Sequence, residues 1–330
     1  MPSPPSRPTS GLAAWRPGWW ICSPAAEEGG PTASSPEGAR LKVKDLSLLR
    51  LLRPGLLVAL LVAGLARGQA AEPPASLSSS DVARCIRDPR CQRTFVVSHR
   101  AHGFGAPENS RAAITRAVEA GVPLIKIDVR ASKDGGLFLL HDGKLDRATT
   151  LRGRVEGFTS AELAGARLAN GETLPRFADA YAIARGRSVL TVGFKADAVE
   201  QVADWIGAHG SFDDLIFFVN TGEEMRAAAR AKQRHPRMMV MVRLLDTRVT
   251  VDSTRTVFGG LPEIFHTDRV GKSEVARLHA LGVKVFMNVV PWEAYIQPLK
   301  YLAVGWLLRT SLDFILTDEP VPMMRRVAGP

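Results

Sequence analysis

Cysteine is scarce, with three in 330 residues, and no C-x-x-C or Cys/His grouping accompanies them, so nothing marks a cysteine-based metal centre. Lysine and arginine runs interleaved with aromatics are missing beyond residue 70, which removes the usual footprint of a nucleic-acid surface. A comfortable membrane helix needs about 20 consecutive apolar residues. The uncharged run Leu56–Ala66 falls short of that. No long Pro/Gly linker interrupts the chain after Phe95, so the second half offers no obvious domain boundary. What remains is a chain with 45% apolar residues, long enough to bury a large core as one α/β barrel or as two smaller domains.

Composition shifts near residue 75. Residues 1–40 are rich in Pro, Ser, Gly, Trp and Ala without helical or strand periodicity and read as a disordered or non-native leader. Residues 41–70 have the form of a secretory signal peptide. Lys42, Lys44, Arg50 and Arg53 precede the apolar run, and Gly68 and Ala70 supply small residues at a cleavage spacing. A signal peptide begins near its basic region, so translation is expected to start close to Leu41 or Val43, and the product is expected to be exported, periplasmic or extracellular, with no stable transmembrane segment. The leader through Ala70 carries eight basic and four acidic residues of the chain's 43 and 33, leaving 35 and 29, a net of +6 that suits an anionic ligand and equally serves solubility.

Of the cysteines, Cys22 lies in the leader, while Cys85 and Cys91 flank "IRDPR" in the arm formed by residues 71–93. An even pair in an exported chain reads as a disulfide, here one that pins the arm. From residue 94 to 330, apolar strands alternate with amphipathic helices. "TFVVSH" is a strand; "NSRAAITRAVEAG" is a helix capped by Asn109 or Ser110 and stopped by Gly121. Further strands are "LIKIDV", "LFLLH", "SVLTVGF", "LIFFV", "MMVMV", "EIFH", "VKVFMNVV" and "DFILTD". Near-continuous apolar strands separated by helices indicate a parallel sheet covered by helices, a single (β/α)8 TIM-type barrel. Nine candidates are one more than eight staves. The Asp134-Gly135 hairpin signal makes one member of that pair an excursion, with "EIFH" the other candidate for removal.

Polar residues gather at strand ends, where such barrels place their active sites. His99-Arg100, Asp128, His141-Asp142, Lys195, Asn288 and Thr317-Asp318 all fall there. Within "LIKIDV", Lys126 and Asp128 are two apart, and a period of two puts a cation and an anion on one face of a strand that otherwise looks buried. Trp292, Tyr295, Tyr301 and Trp306 either line an apolar mouth or serve helix packing; His102 sits in the loop beside His99, and His209, His235, His266 and His279 follow no spacing.

"HRAHGFGAPENS", "IKIDVRASKDGGLFLLHDGKLDRATTLRGRVEGFTSAEL", "LPRFADA" and "DFILTDEP" resemble the glycerophosphodiester phosphodiesterases of the phospholipase C-like superfamily, from about Thr94 to about Pro320. The resemblance implies hydrolysis of a small-molecule phosphodiester or lysophospholipid to an alcohol and a phosphomonoester. His99 and His141 are then the general acid and base, in an order the sequence leaves open. Such a pair is required because one group removes a proton from the attacking hydroxyl while another protonates the leaving alkoxide. Arg100 would grip phosphate oxygens, Lys195 would approach them, and Glu108 and Asn109 would brace the site. Glycerophosphocholine, glycerophosphoinositol, lysophospholipid and agrocinopine-like compounds all fit.

The resemblance also implies Ca²⁺ or Mg²⁺ on three carboxylates, two in an E-x-D on the second strand and one on the strand before the lysine. Those positions are Lys126, Asp128 and Gly193, so Asp128 is the single matching ligand. Four explanations follow. The Lys126 ammonium takes the metal's place in a metal-independent enzyme; the barrel is an inactive binder of phosphodiester head groups; metal is held in a rearranged site using Asp142 or Asp318; or Lys126 merely neutralises Asp128 in a structural ion pair. Ala101 stands where the family has glycine after His-Arg.

Overall fold

The computed structural model describes residues 77–195, 198–245, 248–269, 271–291 and 300–329. The segments expected as leader (1–40) and signal peptide (41–70), the start of the arm, and Trp292 and Tyr295 lie outside the described residues, as does the Tyr301 side chain. Everything below belongs to the compact unit Ala70–Pro330.

Eight parallel strands close into a barrel. They are β1 (Phe95–His99), β2 (Leu124–Ala131), β4 (Val189–Lys195), β5 (Leu215–Val219), β6 (Met239–Arg243), β7 (Ile264–His266), β8 (Lys284–Asn288) and β9 (Phe314–Thr317), with β1 paired to both β9 and β2. The surplus strand is β3 (Leu137–Leu139), antiparallel to β2 across the Asp134-Gly135 turn, so the hairpin signal identified the excursion and "EIFH" is a stave. Helices α2 (Arg111–Glu119), α4 (Phe177–Ala184), α5 (Ala198–His209), α6 (Gly222–Arg234), α7 (Val251–Phe258), α8 (Lys272–His279), α9 (Lys300–Leu308) and α10 (Pro320–Ala328) follow the staves. No described helix is long and apolar enough to cross a membrane.

Strand alternation sorts the core into two layers. Val96, Ile125, Ile127, Val129 and Val192 face the helices, whereas Phe95, Val97, Leu124, Val189, Ile216, Met239, Ile264 and Phe314 fill the barrel interior. That interior apolar plug occupies the lower turns. Above it, at the carboxyl ends, the inward positions become polar: His99 on β1 is level with Lys126 on β2, and Asp128 is level with Gly193 on β4.

The arm forms α1 (Ser79–Arg87), started by a Ser78/Asp81 capping box. Its Val82, Ala83 and Ile86 join the interior cluster and cover the lower mouth. Cys85 and Cys91 form a disulfide, Ser79 and Tyr181 both bond the buried Asp214, and Lys284 reaches the Cys91 carbonyl. The segment between β3 and α4 carries α3 (Ser160–Leu163) and a small core of Leu140, Leu145, Val155, Leu163 and Leu174.

Candidate active site

His99 ends β1 and Asp318 follows β9. The pairing of Ser98 with Thr317 brings their next residues together, and His99 Nδ1 lies 2.8 Å from Asp318 Oδ1. Burial lowers the basicity of the His99 ring, with the Asp318 hydrogen bond opposing it, so the neutral imidazole is favoured. Across the mouth, Leu140 N–H donates to the Asp128 carbonyl at 3.0 Å, stitching the excursion to β2 and delivering the next residue, His141, beside the site. His141 Nδ1 is 2.9 Å from Asp142 Oδ1, and Arg130, inward-facing on β2, donates to the His141 carbonyl at 2.9 Å. Each histidine therefore has Nδ1 held by a carboxylate, which fixes tautomer and ring orientation.

The chain after β1 turns through two left-handed residues, Arg100 (φ 53°) and Ala101 (φ 57°). A non-glycine residue there costs about 1–2 kcal/mol, and the buried Ala101 occupies the position where the resembling family has glycine. Strain of this kind concentrates at functional sites. The turn aims Arg100 at two carboxylates: Nη1 donates to Glu108 Oε2 at 3.1 Å, and Nε lies 3.5 Å from Asp128 Oδ2. Glu108 also meets His102 at 3.4 Å and Arg147 at 2.5 Å. Burial alone would raise its carboxyl, but the bonds from His102 and Arg147 hold it well below the usual carboxylate range.

Of the two capping candidates, Ser110 caps α2, its side chain accepting from Ala113 N–H. Asn109 instead adopts φ 58° and is buried, with Oδ1 accepting from the Asp128 N–H at 3.3 Å. It braces β2 at Asp128. Lys195 closes β4 level with Arg130, and its side chain lies outside the described residues.

The pair noticed in the sequence is real and buried. Lys126 Nζ donates to Asp128 Oδ1 at 2.7 Å, with side-chain exposures of 9% and 0%. Burial pushes the Asp128 carboxyl up, yet the Lys126 ammonium outweighs it and holds the group down at about 2. A Cβ added to Gly193 would stand 3.1 Å from Asp128 Oδ1 and 3.4 Å from Lys126 Nζ. The ammonium thus lies beside the space that a side chain on β4 would enter.

The residues present do not fit the divalent cation that the family resemblance implies. Hard cations take six or more oxygens in the case of Ca²⁺ and several carboxylates or waters in the case of Mg²⁺. Here the one matching carboxylate is already bonded to an ammonium, and among the described residues no group of three or more His, Cys, Asp or Glu is arranged to hold a metal.

Sequence reasoning named His99, Arg100, Glu108, Asn109, Lys126, Asp128 and His141, and the fold brings all seven to one mouth. It missed Arg130, Arg147, and a group on the opposite wall: His266 at the end of β7, buried between Phe218 and Phe286, with Asp268 3.3 Å away and bonded to Arg243 at 2.6 Å. Arg130 was findable, since its period-two spacing from Lys126 and Asp128 puts it on the same inward face.

Residues 99–259 match the model of the glycerophosphoryl diester phosphodiesterase family. A glycerophosphodiester phosphodiesterase of Caldanaerobacter subterraneus is 42% identical over 71 residues, 22% of this chain and 29% of that protein. One of Bacillus subtilis is 31% identical over 120 residues, 36% of this chain and 39% of that one. These two matches therefore span less than half of each relative. The crystal structure of a glycerophosphoryl diester phosphodiesterase from Parabacteroides distasonis superposes with a TM-score of 0.64 at 20% identity, covering 76% of this chain and 92% of that one, a likeness of fold. Family model, sequence relatives and barrel agree, and the chain belongs to the glycerophosphoryl diester phosphodiesterase family.

Proposed function

We propose that the barrel hydrolyses a glycerophosphodiester, or a related small phosphodiester such as a lysophospholipid, by histidine acid–base catalysis with the Lys126 ammonium where relatives would hold a metal. One histidine of the pair takes a proton from water as its oxygen bonds to phosphorus. The other gives a proton to the departing alkoxide as the P–O bond breaks, leaving an alcohol and a phosphomonoester. Each such transfer contributes about 100- to 10,000-fold. Arg100 binds the phosphate oxygens through its planar donors, and Lys126, held by Asp128, stabilises the charge that grows on them in the transition state.

The observation that carries this reading is the matched pair of Nδ1–carboxylate bonds, His99–Asp318 and His141–Asp142, each of which directs a ring nitrogen for proton transfer. A site that only bound phosphate would have no use for two oriented imidazoles. The Cys85–Cys91 disulfide supports export to an oxidising compartment, as the basic and apolar segments at 41–70 do.

The test is a panel of glycerophosphocholine, glycerophosphoethanolamine, glycerophosphoinositol and lysophosphatidylcholine offered to the purified chain with and without EDTA, with His99→Ala as control. Turnover that survives the chelator and disappears in His99→Ala is expected. Loss of turnover in EDTA, restored by Ca²⁺ or Mg²⁺, would overturn the role given to Lys126. Binding measured by calorimetry without product would show a head-group binder in place of an enzyme.

A further inference from the structure

Arg147 lies in the turn that follows the excursion, away from the strands that carry the chemistry. Its backbone is fixed: Leu145 before it is fully buried in the small core, Ala148 and Thr149 N–H groups donate back to the Leu145 carbonyl, and Lys144 bridges Arg154. From this base its guanidinium spans two carboxylates, with Nε donating to Asp142 Oδ2 and Nη2 to Glu108 Oε1, each at 2.5 Å. Asp142 uses its other oxygen on His141 Nδ1, and Glu108 uses its other oxygen on Arg100 Nη1.

We propose that Arg147 is a positioning residue that sets the His141 imidazole through Asp142 and the Arg100 guanidinium through Glu108, so that proton transfer and phosphate binding are held by a single clamp. The inference rests on the catalytic reading above. A planar fork suits the task, because two donors on one rigid group fix the separation of two carboxylates in a way that a point charge does not. Each carboxylate is thereby left one oxygen for its functional partner. Although Arg147 is half exposed, its effect does not depend on the small stability of an exposed ion pair. It depends on which way two other side chains point. The bonds it makes also hold Asp142 below the usual carboxylate range, keeping it an acceptor for the His141 ring.

The test uses the full chain labelled with ¹⁵N-histidine and the variants Arg147→Met, Arg147→Lys and Asp142→Asn, with His141→Gln to assign the His141 signals. In Arg147→Met the His141 ring-nitrogen signals are expected to move while the melting temperature stays within about 3 °C, as for loss of an exposed pair. With substrate, kcat falls about 10- to 100-fold, the size expected when a carboxylate that orients a histidine is misplaced, and KM rises through Arg100. Asp142→Asn reproduces the kcat loss alone, and adding Arg147→Met to it raises KM with little further loss of kcat. Arg147→Lys, which keeps charge but not the fork, recovers part of the activity. Unchanged His141 signals with wild-type kinetics would overturn the proposal, as would a kcat loss explained entirely by a fall in the folded fraction. A wild-type chain that turns over no diester would sink the catalytic reading and leave the spectrum of Arg147→Met to decide the clamp.

Discussion

Replacing Lys126 by Met keeps the length and most of the volume of the side chain while removing the ammonium from a fully buried Asp128. Breaking a buried pair by deleting one partner costs about 3–5 kcal/mol. Arg100 Nε at 3.5 Å supplies some remaining compensation, which puts the loss near the lower end. A second route gives a similar size: Asp128 sits at about 2 against an ordinary 3.8, and at 1.36 kcal/mol per pKa unit that depression is worth about 2–3 kcal/mol at neutral pH. The sign follows from the depression. Asp128 binds its proton less readily when folded, so its contribution is full above about pH 4 and is lost as pH falls toward 2. Urea unfolding of wild type and Lys126→Met at pH 7 is therefore expected to differ by about 3 kcal/mol, a drop in melting temperature of about 5–10 °C for a barrel of this size. At pH 3 the gap narrows to about half. A difference below about 1 kcal/mol that is the same at both values would refute the claim that the ammonium compensates Asp128. In the activity assay with EDTA, the same variant is expected to lose about 100- to 1,000-fold in kcat/KM.

His99→Ala and His141→Ala should each reduce kcat by about 100- to 10,000-fold, and the double variant by far less than the product, since in the proposed reaction the two rings act in one step; full additivity in steady-state assays would contradict that. Replacing both Cys85 and Cys91 by Ser opens a short loop, with an expected loss of about 2 kcal/mol and no change in kcat, because the disulfide lies at the lower mouth; a selective fall in kcat would count against this placement. Lys126→Glu with Gly193→Glu restores three carboxylates at neighbouring inward positions, and the double variant should gain a melting temperature that rises with Ca²⁺, where wild type does not respond.

The barrel and its excursion were legible because strand alternation, helix stops and the Asp134-Gly135 turn are local signals, and most of the site was legible because its residues fall at strand ends. Asp318 was visible as a strand-end residue, but not as the partner of His99, since the two are 219 residues apart and meet only through the register of β1 on β9. Arg147 carries no such local mark, because its reach is set by the turn beneath it. His266 looked like a stray histidine because a three-residue stave shows too little pattern to reveal its inward face. The capping question at Asn109 and Ser110 turned on backbone conformation: both side chains can cap a helix, and the left-handed φ of Asn109 sends its amide to β2 instead.

The seam between β1 and β9 imposes an order on folding during synthesis. Phe95 stacks on Phe314 across it, and His99 finds Asp318 there, so the first stave cannot complete its pairing until the last has arrived. Contacts of such sequence separation form late and slowly. An unfinished chain therefore carries His99 without the carboxylate that orients its ring, and the mouth is complete only with the closing strand, after nearly the whole polypeptide has emerged.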